Sequence, residues 1–405
     1  MRVACAALAL TGVVSLSPSA AGGQTALTLA DVLDRAREQA PAIVSARLAL
    51  EEARGRLTGA SLRLQSNPEI DVNVGSRQGA DPRSTDLQLG AAQMFEPPGR
   101  RTARMAAAAA QLDHGLATAE DTTREVLRDA ASWFYQALFA AERARLLDTS
   151  EELANAMLET ADRRHRAGDL AVLDVNLARS SLARARSDRE AAEAERAAAL
   201  GALRALLRIE DTLAVRGSLA VGQSPDAAAL ARSAEQRPEL RALEGAIREA
   251  DAEISLARSL SKPSYGVGLR YEREDGDQIV LGGMTLTLPL FSKGQELQAV
   301  GSARGTRLRA ELDAARTRVR IELQTALAAY ERRVAAARVL ESEALPGLDE
   351  NDALTTRSFD VGQIGLPDVL LIRREILETR FQYLSALLEA ALARVAVDAA
   401  AAVLR

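Results

Sequence analysis

Apolar and polar residues alternate along four short stretches of the chain, and this period of two predicts β-strands. The clearest stretch follows Pro263, where small or polar residues separate four apolar positions: Tyr265, Val267, Leu269 and Tyr271. A similar alternation follows Pro68, and each of these strands leads through a polar turn to a second one. The predicted strands cover residues 69–77, 86–96, 264–272 and 279–291.

Elsewhere apolar residues recur at every seventh position, which predicts long helices packed as coiled coils. A helix predicted over residues 100–166 keeps this spacing without a polar exception: Met105, Leu112, Ala119, Val126, Trp133, Ala140, Leu147, Ala154 and Ala161. The series places Trp133 in the packing seam. A second long helix, predicted over residues 295–359, keeps a similar spacing that Arg333 interrupts once.

The order of these elements occurs twice. The first repeat spans residues 22–225 and the second spans residues 226–405, each with a helix, two strands, a long helix and a shorter helix. The shorter helices are predicted over residues 171–208 and 367–404, and residues 209–225 form a mid-height crossing segment with a short strand. Each repeat opens with a helix that holds a proline about eight residues in, namely Pro41 and Pro238.

Both long helices stop at matching turns. Residues 165–175 align at a constant offset with residues 359–369, and each turn contains a glycine, Gly168 or Gly362, that supplies the positive backbone angle needed to end a helix. The charge run Arg163, Arg164, His165 and Arg166 comes just before the first turn. Such a run is typical of a solvated helix face, and pairing with carboxylates of a neighbouring helix is the alternative.

The first residues have the pattern of an export signal. A charged start at Arg2, an apolar run and small residues near Ala21 predict a signal peptide over residues 1–21, with a buried first helix as the alternative. Cys5, the one cysteine of the chain, lies too early in this run to be a lipoprotein acylation site. We therefore expect no lipid anchor on the N-terminus.

Composition excludes several classes of function. The 405 residues include one Cys and two His, too few for a zinc or other soft-metal site, and neither His114 nor His165 is expected to be a metal ligand. A net charge of -5 argues against a nucleic-acid partner. No nucleophile elbow, P-loop or dinucleotide fingerprint occurs, so we expect neither an enzyme nor a cofactor, and no catalytic residue.

Four strands in one chain leave open edges, which no membrane-embedded sheet tolerates. Strands of this length cross a thin bilayer when tilted, with Tyr265, Val267, Leu269 and Tyr271 facing lipid. Closure would then require further copies of the chain. The alternative is that the strands form two ordinary hairpins that cover a soluble core.

This ordered set of elements resembles the TolC-type outer-membrane efflux proteins. The residues that carry the resemblance are the stretch Leu29–Leu33 with Pro41, the turns Gly168–Val175 and Gly362–Val369, and the strand end Leu288–Phe291. Within the family, Gln93–Glu96 and Gly99–Arg101 are similar to the CzcC-like heavy-metal cation-efflux branch.

The resemblance implies a mainly α fold with a membrane β part. Three copies would form one 12-stranded β-barrel in the outer membrane, continued into the periplasm by an α-helical barrel. It implies a passive exit channel of a tripartite efflux pump, working with a periplasmic adaptor of the membrane fusion type and an inner-membrane RND or ABC transporter. Heavy-metal cations are one possible substrate. The alternatives are the outer-membrane component of type I protein secretion and a periplasmic coiled-coil scaffold without a channel.

The resemblance also assigns roles to the turns. Asp368, and Asp174 at the corresponding place in the first repeat, match the acidic gate residues at the periplasmic end of the family's tunnel. A favourable first-turn acid at a helix N-terminus is the alternative role for both. The adaptor would dock at the helix tips: Gly168, Asp169, Leu170, Val361, Gly362, Gln363, Ile364 and Gly365.

Overall fold

A computed structural model describes residues 25–77, 84–220, 222, 224–274 and 277–404. The predicted signal peptide lies outside these residues. The helices are α1 Leu29–Gln39, α2 Pro41–Ser61, α3 Arg100–Arg166, α4 Val172–Leu207, α5 Ala227–Ala234, α6 Pro238–Ser259, α7 Gln295–Val339, α8 Leu348–Asp360 and α9 Leu366–Ala400. The strands are β1 Thr25–Leu27, β2 Glu69–Arg77, β3 Ser84–Phe95, β4 Leu213–Val215, β5 Ser264–Glu274 and β6 Asp277–Thr287.

The first helix of each repeat is divided at its proline, so the expectation of one continuous helix was wrong. Pro41 and Pro238 each stand at the first position of a new helix, where the missing N–H costs nothing. The preceding α1 is closed at its start by Thr28 and Asp31, which bond each other's backbone N–H groups. The hydrogen bond from the Thr28 side chain, followed by that from its backbone, holds the pKa of the Asp31 carboxyl below its ordinary value.

The second long helix is interrupted, which corrects the prediction of a continuous helix over residues 295–359. After α7 the backbone passes through one π-helical segment, Leu340–Ala344, and one 3-10 segment, Leu345–Gly347, before α8 begins. Pro346 lies in this interruption and has no N–H to donate to the preceding turn. The corresponding helix of the first repeat, α3, is unbroken for 67 residues.

Four strands form one antiparallel sheet in the order β2-β3-β5-β6. Residues directly opposite each other lie on the same face, and one face is mainly apolar: Ile70, Val72, Val74, Leu87, Leu89, Ala91, Phe95, Tyr265, Val267, Leu269, Tyr271, Val280, Met284 and Leu286. The polar residues of this face are Ser76, Thr85, Gln93, Arg273 and Gln278. The other face carries the polar and small residues Asp71, Asn73, Gln88, Gly90, Gly268, Arg270, Glu272 and Thr285, along with Ile279 and Leu281.

The fourth strand is shorter than predicted. It ends at Thr287, whereas the sequence pattern extended it to Phe291. Pro289 cannot donate a ladder hydrogen bond, so Leu288–Phe291 leave the sheet as an exposed apolar segment.

The short strand expected between the repeats is β4, and it has a partner that the sequence did not reveal. β4 pairs in parallel with β1, the first described element of the chain. The N-terminal end of the first repeat is thereby attached to the segment that leads into the second.

The long helices lie side by side as four rods: α3, α7, the pair α2 and α4, and the pair α6 and α9. The rod α3 packs between the two pairs, and α7 packs on the far side of α6 and α9. Two apolar cores hold these rods together, one around Phe134 and Leu207 and the other around Tyr330 and Val319. Trp133, which the heptad series places in the seam, is 38% exposed on the single chain, whereas Phe134 beside it is buried.

Candidate functional site

The tip of the first repeat is shaped by the turn between α3 and α4. Gly168 has a φ of 87°. Its N–H donates to the carbonyl of His165 at 3.0 Å, and the N–H of Asp169 donates to the carbonyl of Arg164 at 2.9 Å. This is the Schellman arrangement, which satisfies the last carbonyls of a helix and reverses the chain.

The turn between α8 and α9 repeats this geometry. Gly362 has a φ of 75°. Its N–H donates to Phe359 at 3.0 Å, and the N–H of Gln363 donates to Ser358 at 2.8 Å. Two equivalent tips, one from each repeat, therefore stand at the end of the helical rods farthest from the sheet.

The two predicted gate carboxylates cap the helices that follow these turns. Asp174 Oδ2 accepts from the N–H of Ala171 at 3.3 Å, and Asp368 Oδ2 accepts from the N–H of Gly365 at 3.2 Å. Asp368 is exposed and Asp174 is half-buried. Each carboxylate thus has a structural role at a helix start, where negative charge is favoured, and Asp368 also presents its charge to solvent.

One apolar cluster lies beneath both tips. It consists of Met157, Ala161, Val175, Ala178, Phe359, Leu366 and Val369, with Leu170 and Ile364 packed against it. The other predicted docking residues, Gly168, Asp169, Val361, Gly362, Gln363 and Gly365, are exposed. The structure therefore brings all eight docking residues onto one end of the molecule, over a shared core.

Arg164 joins the two tips through a contact that no sequence pattern indicated. Its Nη1 donates to the carbonyl of Phe359 at 3.0 Å, and its guanidinium carbon lies 4.9 Å from the centre of the Phe359 ring. The basic run before the first turn was expected to be a solvated face. Arg164 instead holds the end of α8, by a backbone carbonyl and an aromatic ring rather than by a carboxylate.

The two histidines also have partners. His165 Nδ1 lies 2.8 Å from the carbonyl oxygen of Leu170, inside the first turn. His114 Nδ1 lies 2.8 Å from Glu249 Oε2, and Arg304 Nη2 lies 3.4 Å from the same oxygen. The buried Glu249 thus links α3 of the first repeat to α6 and α7 of the second.

At the opposite end of the rods, the predicted lipid-facing residues Tyr265, Val267, Leu269 and Tyr271 share the apolar face of the sheet. Strand pairing extends this face to residues of the other strands, of which Ile70 is 78% and Met284 75% exposed. Phe95 stacks on Tyr265 with ring centres 5.5 Å apart where the strands meet the helices.

No described helix is both long enough and apolar enough to span a bilayer. Among the residues that the structure places, no three or more His, Cys, Asp or Glu side chains are grouped so that they could hold a metal ion. What the described chain offers is a sheet with an apolar face at one end and two coupled helix tips at the other.

The chain is similar in sequence to known proteins. A family model described as outer membrane efflux protein matches residues 32–207. The cobalt-zinc-cadmium resistance protein CzcC of Cupriavidus metallidurans is 26% identical over 387 residues, which cover 93% of this chain and 90% of that protein.

Solved structures have the same fold. One is a structure of CusC from work on conformational changes that accompany folding and transmembrane channel formation. It matches with a TM-score of 0.76 at 16% identity, and the match covers 92% of this chain and 91% of the CusC chain. The open state of the Neisseria gonorrhoeae MtrE outer membrane channel has a TM-score of 0.73 at 20% identity, covering 92% and 88%.

Proposed function

Because residues 32–207 belong to the outer membrane efflux protein family, we propose that three copies of this chain assemble into one channel through the outer membrane and into the periplasm. The family and the fold are those of outer-membrane channel proteins. The single observation that supports a shared channel is the four-stranded sheet. It has one apolar face, and within the described residues neither β2 nor β6 has a second neighbour.

The apolar face is suited to lipid, but the two unpaired edges are unstable there, because every backbone N–H and C=O in the bilayer needs a partner. Four strands are too few to close on themselves, since the smallest membrane barrels have about eight. The β6 edge of one copy therefore pairs with the β2 edge of the next, and twelve strands close the barrel.

The internal duplication gives the register of this pairing. The β2–β3 and β5–β6 ladders correspond when 195 is added to the first-repeat numbers, as the pairs Ile70–Ala91 and Tyr265–Leu286 show. In the β3–β5 ladder, which joins the repeats, Ala91 lies opposite Leu269. The equivalent pair across two copies is Leu286 and Val74 of the next copy, and both lie on the apolar face.

We expect a Leu286→Cys and Val74→Cys double variant, in a Cys5→Ser background, to form covalent trimers on oxidation. Directly opposite residues of an antiparallel pair have Cα atoms about 4.5–5.5 Å apart, within the range that a disulfide bridges. The measurement is the mass of the non-reduced protein in denaturing gels after mild oxidation of outer membranes.

The matched control is Leu286→Cys with Val72→Cys, which lies two residues away on the same face. That diagonal pair would be about 7–8 Å apart and should cross-link poorly. Stronger cross-linking of the control pair would refute the register. A protein that stays monomeric in neutral detergent and cross-links with neither pair would refute the channel.

The helix tips are proposed to dock a periplasmic adaptor of the membrane fusion type. Their exposed residues, including Val361 at 70% exposure, form a surface over a rigid apolar core. The energy for transport comes from an inner-membrane RND or ABC transporter beyond that adaptor, so the channel itself works passively.

Divalent metal cations are the proposed substrate class. The relative CzcC carries cobalt, zinc and cadmium resistance in its name and matches nearly the whole chain. Deleting the gene should therefore increase sensitivity to salts of these metals more than sensitivity to antibiotics. The growth-inhibitory concentrations of both sets of compounds, in the deletion strain and its complement, provide the measurement.

We propose that three Asp368 carboxylates surround the periplasmic entrance and attract cations. Replacing Asp368 with Asn removes the charge, while the side-chain oxygen can still accept the N–H of Gly365. We expect the cation preference of the channel in planar bilayers to fall severalfold at about 10 mM salt and to change little at about 1 M, where charges are screened beyond about 3 Å.

Asp174→Asn is the matched control, since this carboxylate makes the same cap but is less exposed. It should change ion preference less than Asp368→Asn does. Equal preference in wild type and Asp368→Asn at low salt would leave the carboxylate with its capping role alone.

A further inference from the structure

A cavity of about 380 Å³ lies between the α3/α4 helix pair and the α8/α9 pair. It is set back from the tips, because its nearest α3 residue, Met157, is about 14 Å of helix away from the end of α3 at Arg166. The walls come from both repeats of one copy.

One part of the lining, the floor, is apolar and consists of Leu153 and Met157 of α3 with Leu370, Ile376 and Leu377 of α9. Thr149, Ser150 and Ser181 also line the cavity. A floor of this kind stabilises hydrocarbon or aromatic groups at roughly 25 cal/mol for each Å² removed from water. It does not by itself select a charge.

The rim is cationic. Four arginines line it: Arg184, Arg373, Arg374 and Arg380. Arg380 pairs with Asp349, and Arg373 Nε lies 3.4 Å from Asp352 Oδ1 while its Nη2 donates to Thr356. The remaining two, Arg184 and Arg374, have no carboxylate within 4.0 Å among the described residues.

The charged side chains of the cavity that have no ion-pair partner sum to one positive charge. Asp188, one turn beyond Arg184 on α4, also lines the cavity without an arginine or lysine within 4.0 Å in the described chain. Against Arg184 and Arg374 it leaves one positive charge in excess. Arg373 Nε lies at ion-pair distance from Asp352 but is buried and makes no hydrogen bond, which is costly for a donor away from water.

We propose that this cavity binds an amphipathic organic monoanion, with a carboxylate or sulfonate at Arg184 and Arg374 and an aromatic or aliphatic body on the apolar floor. The volume suits a ligand of about ten to fifteen heavy atoms, at the small end of known ligand pockets. Guanidinium groups recognise such a head group through charge-assisted hydrogen bonds. The bound anion bridges the helix pairs of the two repeats.

The probe is 2-naphthalenesulfonate, titrated by its fluorescence into the full-length protein in neutral detergent. We expect saturable binding, weakened about tenfold in Arg184→Gln or Arg374→Gln and about a hundredfold in the double variant. The matched control is Arg179→Gln, an exposed arginine on α4 that does not line the cavity, and it should bind as wild type does. The cation 2-naphthylmethylammonium should bind at least tenfold more weakly than the sulfonate.

Leu153→Trp provides a second, independent test, because it fills the cavity and leaves both arginines in place. It should abolish sulfonate binding without changing the oligomeric mass. Equal binding of the cation and the anion, or binding that survives both Leu153→Trp and the double arginine variant, would overturn the site. Loss of the trimer in wild type would refute the proposed channel but not this cavity, which lies within one copy.

Discussion

Replacing Gly294 with alanine is expected to destabilise the folded protein by about 2–4 kcal/mol, with a clear drop in Tm. Gly294 precedes α7 with a φ of 76°, a region that costs an L-residue about 1–2 kcal/mol. An added Cβ would also press on the carbonyl oxygen of Ala257 at the end of α6, and would lie 3.1 Å from its carbonyl carbon and 3.3 Å from Leu260 Cβ. Such overpacking typically costs about 1–3 kcal/mol.

The chain provides its own control for this prediction. Gly99 occupies the equivalent position before α3, with a φ of 87°, but the nearest atom to an added Cβ is the flexible Lys262 Nζ at 3.6 Å. Gly99→Ala should therefore cost only about 1 kcal/mol. Thermal unfolding followed by circular dichroism measures both variants, and an equal loss of Tm would show that the close approach of α6 to Gly294 has no energetic consequence.

Arg164→Ala is expected to separate the two helix tips and raise the conductance of the resting channel. The variant loses a charge-assisted hydrogen bond to the Phe359 carbonyl, worth about 1.5–3 kcal/mol, and a cation–π contact worth about 0.5–1 kcal/mol. Because Arg164 is half-buried, we take about 2 kcal/mol as the total. Single-channel recording and uptake of a large antibiotic by whole cells provide the measurements.

Arg163→Ala is the matched control. Arg163 precedes Arg164 in the same basic run, yet among the described residues its guanidinium bonds Thr160 of its own helix and no residue of the other tip. Its removal should leave conductance unchanged. If both variants leak equally, the general loss of positive charge at the tip is responsible and not the Phe359 contact.

Several parts of this fold could be predicted from the sequence because a local rule determines them. The period of two after Pro68 and Pro263 depends on which residues face each side of a sheet, and the structure has strands there. Gly168 and Gly362 have the positive φ that helix reversal requires. The predicted resemblance to outer-membrane efflux proteins is confirmed by the family match.

Other features depend on contacts that no local rule specifies. Arg164 and Phe359 are 195 positions apart, and nothing in a basic run indicates that one of its members bonds a distant carbonyl. The seven-residue apolar spacing extends to Leu340 and Ala344, inside the interruption, and so concealed the break at Pro346. Trp133 keeps the spacing too, yet it is 38% exposed on the single chain, and the buried aromatic residue is its neighbour Phe134.

The interruption at Leu340–Gly347 makes the long helices of the two repeats differ in bending stiffness. An unbroken helix such as α3 resists bending along its whole length, whereas π segments and prolines are the points where helices kink. Any flexing of the periplasmic tube is therefore concentrated at the joint between α7 and α8. In a threefold assembly, three unbroken α3 helices would alternate with three interrupted α7–α8 helices, and only the interrupted helices could bend at this point.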